Sequence, residues 1–182
     1  MNDRTIVTQD KLLKMVYDSG AQFEKDYSGC CQAVLYPFYE LFDLHEKVIK
    51  AATSLSGGIA RTAKGPCASF TGGAIAFGYY CGRGVNDLDK RELSKKTGEL
   101  TRILQEKFIQ EYGGYLCNEV QEKKFGRCYN LLNPDDYQSF IDDGAYTEKC
   151  PEVVGKAAVW IAEILLKEST FRDQLEKKYK LV

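Results

Sequence analysis

Apolar residues recur at three- and four-residue spacing along nearly the whole chain, the repeat of helices that bury one face. Leu12, Leu13, Val16 and Tyr17 open an amphipathic helix expected from about Thr8 toward Tyr27, with the Thr8 hydroxyl as its cap. A second should begin near Cys30 and carry Val34, Leu35, Phe38, Leu41 and Phe42. Pro37, which has no N–H to donate, should kink that helix or end its regular hydrogen bonding. A third runs from His45 to about Leu55 and stops at Gly57-Gly58. A glycine-marked loop, Ser56 to Pro66, then separates these helices from a segment of different character.

Cys67 to Gly82 is apolar all round and rich in glycine. Its length approaches a membrane span, but no second span follows. Gly72, Gly73, Gly78 and Gly82 suit close packing against other helices, so this segment is expected as a buried central helix. A more polar helix follows from about Asp87 to Tyr112, with Leu100, Ile103, Leu104 and Phe108 on its buried face. Gly113-Gly114 breaks it before a short helix from Cys117 to Lys123. Asn133-Pro134 starts another, because Asn caps and Pro suits the first helical position. Cys150-Pro151 opens the last strong element, running to about Lys167 with Val153, Val154, Ala157, Trp160, Ile161 and Ile164 inward. A short charged helix, Phe171 to Lys180, closes the chain. No run alternates with period two. The expected fold is all-α: one compact domain over residues 1–182, of about seven helices with the buried glycine-rich one at its centre.

Charge adds mainly exclusions. Lys and Arg total 25 against 26 Asp and Glu, a net charge of −1, so no basic excess points to nucleic acid or an anionic membrane surface. The start, Met1-Asn2-Asp3-Arg4-Thr5-Ile6-Val7, is charged and lacks the apolar core of a signal peptide, which points to the cytoplasm. The apolar fraction is compatible with a homodimer, although no seam marks an interface.

Cysteine changes the picture. There are seven, an odd number with no CxxC pair, which does not suit a secreted disulfide framework. Cys30, Cys67, Cys117 and Cys150 each follow a loop breaker and stand at an expected helix start. The first-turn N–H groups and the helix dipole there favour a thiolate and should lower the thiol pKa. Gathered together, four thiolates would repel one another unless a cation held them. Zinc or an iron–sulfur cluster can do so. Dispersed ligands fit poorly with small zinc modules, whose ligands come in local pairs. His45 is the only histidine, which excludes HExxH, multi-histidine and CxxCH haem-attachment sites within this chain. Two further readings stay open: a thiol–disulfide oxidoreductase using a tertiary cysteine pair, and a binding module built on structural zinc.

Cys31, Cys81 and Cys128 are expected to be structural. Cys31 points about 100° away from Cys30 on a helix, and Cys81 lies too far along from Cys67 to share its site. The Ser56–Gly65 loop is neither a Walker sequence nor GxGxxG and reads as a tight turn, with Arg61 able to offset negative charge nearby. Asp135-Asp136 and Asp142-Asp143 read as solvated helix-end residues, and nothing marks His45 as a base.

These residues resemble a family of redox-active proteins named for a C, CGAxxG, C, C pattern, and the resemblance covers most of the chain. Gly29-Cys30-Cys31-Gln32-Ala33-Val34 matches its first cysteine, and Gly57-Gly58-Ile59-Ala60-Arg61 its glycine-rich approach to the second motif. That motif is set on Cys67-Ala68-Ser69-Phe70-Thr71-Gly72, with Ala68 and Ser69 in place of Gly and Ala. Cys117 matches the third cysteine. Phe125-Gly126-Arg127 and Cys150 through Ala158 are similar to the family's C-terminal half. The resemblance implies a redox role for four cysteines, Cys30, Cys67, Cys117 and Cys150. A related domain in split-Soret cytochrome carries an iron–sulfur centre beside haem. What carries over is the cluster alone, of 2Fe–2S or 4Fe–4S type, exchanging electrons with a partner protein not identified by the sequence.

Overall fold

The computed structural model describes residues 5–182; the first four residues of the charged N-terminal stretch lie outside it. Among the described residues there are nine α-helices, one for each helical segment marked in the sequence and more than the total of about seven expected. Helix α1 spans Gln9–Tyr27, and the Thr8 side chain accepts the Lys11 N–H at 3.2 Å, as a cap should. Its buried stripe is Leu12, Val16, Gly20, Ala21 and Glu24, and α8 (Cys150–Leu165) packs along it. Helix α2 spans Cys30–Phe42 and runs on through Pro37, which is buried within it.

The expected third helix is divided. Helix α3 covers only Glu46–Ala51, and a separate 3-10 turn takes Thr53–Leu55. His45 caps α3: its Nδ1 accepts the Lys47 N–H at 3.1 Å. Helix α4, Ala68–Cys81, buries Phe70, Gly72, Gly73, Ala76, Phe77 and Tyr80 and packs against α2 and α8. A Cβ on Gly72 would lie 2.2 Å from Val34 Cγ1, and one on Gly73 would lie 2.3 Å from Leu104 Cδ2. The bare backbone is what lets these helices approach so closely.

Helix α5 (Arg91–Tyr112) begins later than expected and buries Leu100, Leu104, Phe108 and Tyr112; Ile103 is 43% exposed rather than inward. Helices α6 (Cys117–Phe125), α7 (Pro134–Asp142) and α9 (Ser169–Lys178) complete the set. Two strands were not expected. β1 (Thr5–Val7) and β2 (Tyr179–Leu181) pair in parallel, Ile6 opposite Lys180, and at three residues each they are too short to show alternation. No helix among the described residues is long and apolar enough to cross a membrane.

Buried apolar residues fall into two clusters. The larger joins α1, α2, α4, α5, α8 and α9. The smaller comprises Ala63, Tyr129, Leu131, Phe140 and Ala145, with Cys117 and Cys150 packed against it. Cys30 and Cys67 belong with the larger cluster, so the four cysteines stand where the two meet.

Candidate functional site

Each of the four cysteines is placed by a break in the helical pattern. Ser28 (φ 57°) and Gly29 (φ 97°) turn the chain from α1 into α2, whose first residue is Cys30. Backbone stitches Cys67 to Cys117. Pro66 and Leu116 form an isolated antiparallel bridge. The Cys67 N–H donates to Tyr115 O at 2.7 Å, and the Cys117 N–H to Gly65 O at 2.9 Å. Cys67 then caps α4, while Cys117 begins α6. Cys150 enters α8 through a π-helical turn, Ala145–Lys149, so it already has helical backbone, φ −69°, instead of the free cap position that Cys-Pro-Glu suggests.

Between Cys30 and Cys67 runs an unusual loop. Gly57, Gly58, Ile59, Ala60 and Arg61 all have left-handed φ, between 52° and 70°. For each non-glycine residue this conformation costs about 1–2 kcal/mol, so tertiary packing must hold the segment. It does so at the cysteines: a Cβ on Gly58 would stand 2.8 Å from Cys117 Cβ.

The four thiols line one cavity of about 410 Å³. Cys31, Cys81 and Cys128 do not line it. Cys31 is buried in the larger apolar cluster, Cys81 lies 3.9 Å from Thr170 Oγ1, and the exposed Cys128 donates to Asn118 O at 3.1 Å. All seven cysteines are free. Among the described residues, no three or more His, Cys, Asp or Glu side chains are arranged to hold a metal ion.

The four thiols stand above their ordinary pKa, which corrects the expectation from helix ends. Cys30 is pushed well up by its hydrogen bond with the Cys150 thiol and by burial. Burial takes Cys67 up to about 12. Burial, then the nearness of Cys67 and Cys30, raises Cys117. Contact with Cys30 holds Cys150 down, but burial together with Glu24, Cys117 and Cys67 outweighs it. Loss of water and a gathering of acidic neighbours disfavour the thiolate by more than the helix ends favour it.

Donors nevertheless reach the sulfurs. The Gly57 N–H points at Cys30, and the Ser69 and Phe70 N–H groups of the first turn of α4 point at Cys67. Gln121 Nε2 donates to Cys117 Sγ at 3.5 Å, while Gln121 Oε1 accepts the Tyr129 N–H at 2.9 Å and so fixes the amide's orientation. Such donors favour a sulfur that carries negative charge.

Glu24 and Gln121 were not singled out from the sequence. Glu24 is fully buried, and neither carboxyl oxygen has a hydrogen-bond partner of ordinary geometry. Burial, then the nearby Cys30 thiol, pushes its pKa well up. The available signal was its register: Leu12, Val16, Gly20 and Glu24 share one face of α1. Arg61 does line the cavity, its guanidinium 5.2 Å from the centre of the Tyr137 ring. The acidic pairs are more than solvated ends: Asp136 pairs with Arg127, and Asp143 accepts the Tyr129 hydroxyl at 2.6 Å.

Comparison with known proteins gives a family. No curated protein and no solved structure matches the chain, so the likeness to split-Soret cytochrome has no match behind it. A family model does match, over residues 28–164, with the description "Putative redox-active protein (C_GCAxxG_C_C)". Set on that printed pattern, Cys67-Ala68 is the matching pair and Pro66 and Thr71 stand where it has glycine, which corrects the placement expected above. The matched span contains Cys30, Cys67, Cys117 and Cys150 and most of the chain, which therefore belongs to this family of redox-active proteins.

Proposed function

We propose that Cys30, Cys67, Cys117 and Cys150 together hold one iron–sulfur cluster and that the chain serves electron transfer or redox sensing. The observation that carries this reading is the meeting of four thiols, from four separate segments, on one cavity. The four sulfurs come singly from segments far apart in the chain rather than as the local ligand pairs of small zinc modules. Bound there, a cluster would supply one-electron exchange. The chain's own part is to stabilise charge on sulfur and to exclude water. The N–H groups of Gly57, Ser69 and Phe70 and the Gln121 amide do the first. The two apolar clusters do the second. A partner electron carrier completes the function, and an odd set of unpaired cysteines suits a reducing compartment such as the cytoplasm.

The test is the content of iron, acid-labile sulfide and zinc in anaerobically purified protein, with absorption spectra before and after dithionite. Replacing any of the four cysteines by Ser should remove most of the iron, while Cys31→Ser and Cys128→Ser should retain it. Iron that survives all four single replacements would sink the proposal.

One observation favours a second reading. The Cys30 and Cys150 thiols are neighbours, so on approach they could close a disulfide, releasing two electrons and two protons to an oxidant disulfide. Their raised pKa values keep the attacking thiolate scarce near neutrality, which counts against it. An iron-free protein whose Cys30 and Cys150 resist alkylation after mild oxidation, and regain reactivity with dithiothreitol, would establish it.

A further inference from the structure

The cysteines share their cavity with groups of a different chemistry. Arg61, Lys124 and Lys149 line it, and no Asp or Glu does. Lys124 is matched by Glu152 at 2.5 Å. Arg61 and Lys149 have aromatic faces as partners: Lys149 Nζ lies 4.4 Å from the centre of the Phe125 ring, and Arg61 lies over Tyr137. Among the described residues, neither forms a salt bridge with a carboxylate. Two positive charges thus line a cavity whose acidic groups are the four thiols and tyrosine hydroxyls alone.

Aromatic rings line the same cavity. Tyr137 and Tyr146 join hydroxyls at 3.2 Å, and Phe140 packs edge-on against Tyr146. Ser56 Oγ also lines the cavity and is buried without a hydrogen-bond partner. An unpartnered buried hydroxyl asks for an acceptor or donor that the protein does not provide. The left-handed loop adds a third indication. Its strained backbone brings both Gly57, against Cys30, and Arg61 to the cavity. Strain held at such a position is a pointer to function.

We propose that this cavity, beside its cysteines, binds a small organic anion: a carboxylate headgroup at Arg61 and Lys149, and an apolar ring against Tyr137, Phe140 and Tyr146. The inference rests on the reading above only in assigning the cysteines to the cluster. A ligand held there shares the cavity with the thiols, as a substrate or effector of the redox centre would.

The experiment uses the full chain purified anaerobically, with iron and sulfide measured on the same preparation. Benzoate and acetate are titrated calorimetrically into the wild type and into Arg61→Gln, Lys149→Gln and Lys95→Gln, the last an exposed control on α5. Benzoate should bind at least roughly tenfold more tightly than acetate, because only its ring meets the aromatic wall. Arg61→Gln and Lys149→Gln should each weaken benzoate by roughly tenfold, the loss of one charge-assisted contact, with iron content and thermal midpoint unchanged. Lys95→Gln should behave as wild type. No benzoate binding, equal affinity for benzoate and acetate, or indifference to both the Arg61 and the Lys149 substitution would overturn the proposal. Iron-free protein that still binds benzoate through Arg61 and Lys149 would support the subsite and overturn the cluster.

Discussion

Gly58 and Gly113 both adopt left-handed backbone, φ 70° and 80°, yet a methyl group would mean different things at each. At Gly58 it would stand 2.8 Å from Cys117 Cβ, whereas at Gly113 nothing lies within 4 Å. Gly113→Ala should therefore cost about 1 kcal/mol of backbone strain and leave metal loading intact. Gly58→Ala should cost about 2 kcal/mol or more and displace Cys117, so iron content should fall with stability; denaturant midpoints and iron assays on the pair separate the two effects. Tyr129 carries a pH prediction. Burial and the hydrogen bond it donates to Asp143 push its pKa up to about 12. A group raised in the folded state stabilises fully below its unfolded value of about 10 and loses that contribution as pH climbs through the folded one. Stability should accordingly fall between about pH 10 and pH 12, and Tyr129→Phe should flatten that slope in alkaline denaturation curves. At this scale the sequence made the cysteines legible by type and position. It did not expose Glu24 or Gln121, because a single polar residue on an apolar helix face reads as a surface position until its neighbours are known.

Helix α4 works through what it lacks. The Gly72 backbone meets Val34 on α2, and the Gly73 backbone meets Leu104 on α5 and Ile161 on α8. Gly72→Ala should overpack the α2–α4 contact and destabilise by about 1–3 kcal/mol. Val34→Ala costs stability alone but removes the obstructing methyl, so the double variant should be more stable than the sum of the two losses allows. Additive losses in urea titrations would show that the two residues are not coupled. Long periodic elements such as α1, α5 and α8 could be located from apolar spacing alone. The division of the third helix at Ala52 and Thr53 could not, because Val48, Ile49 and Leu55 keep helical spacing straight across it. The strands were invisible for a related reason: their stability comes from pairing residues at opposite ends of the chain.

On the scale of the molecule, β1 and β2 fasten the two ends together, and Lys178 adds a 2.7 Å ion pair to Asp43. Neither strand lines the cysteine cavity. Removal of residues 179–182 should lower the thermal midpoint while iron per chain stays at the wild-type level; loss of iron would reveal coupling through α9. Spacing could mark four candidate cysteines but could not bring them together. Their meeting depends on the bridge between Pro66 and Leu116 and on the turn into α8, long-range features that no local pattern encodes.

The four sulfurs are separated by 37, 50 and 33 residues along the chain, counted from Cys30 to Cys67, Cys117 and Cys150. A ribosome making this protein releases them one at a time, and no emerging fragment holds the complete set until α8 has left the exit tunnel. On the cluster reading, a centre with all four ligands is completed only after the last of them has been made, and a chain truncated before residue 150 lacks one sulfur of the set.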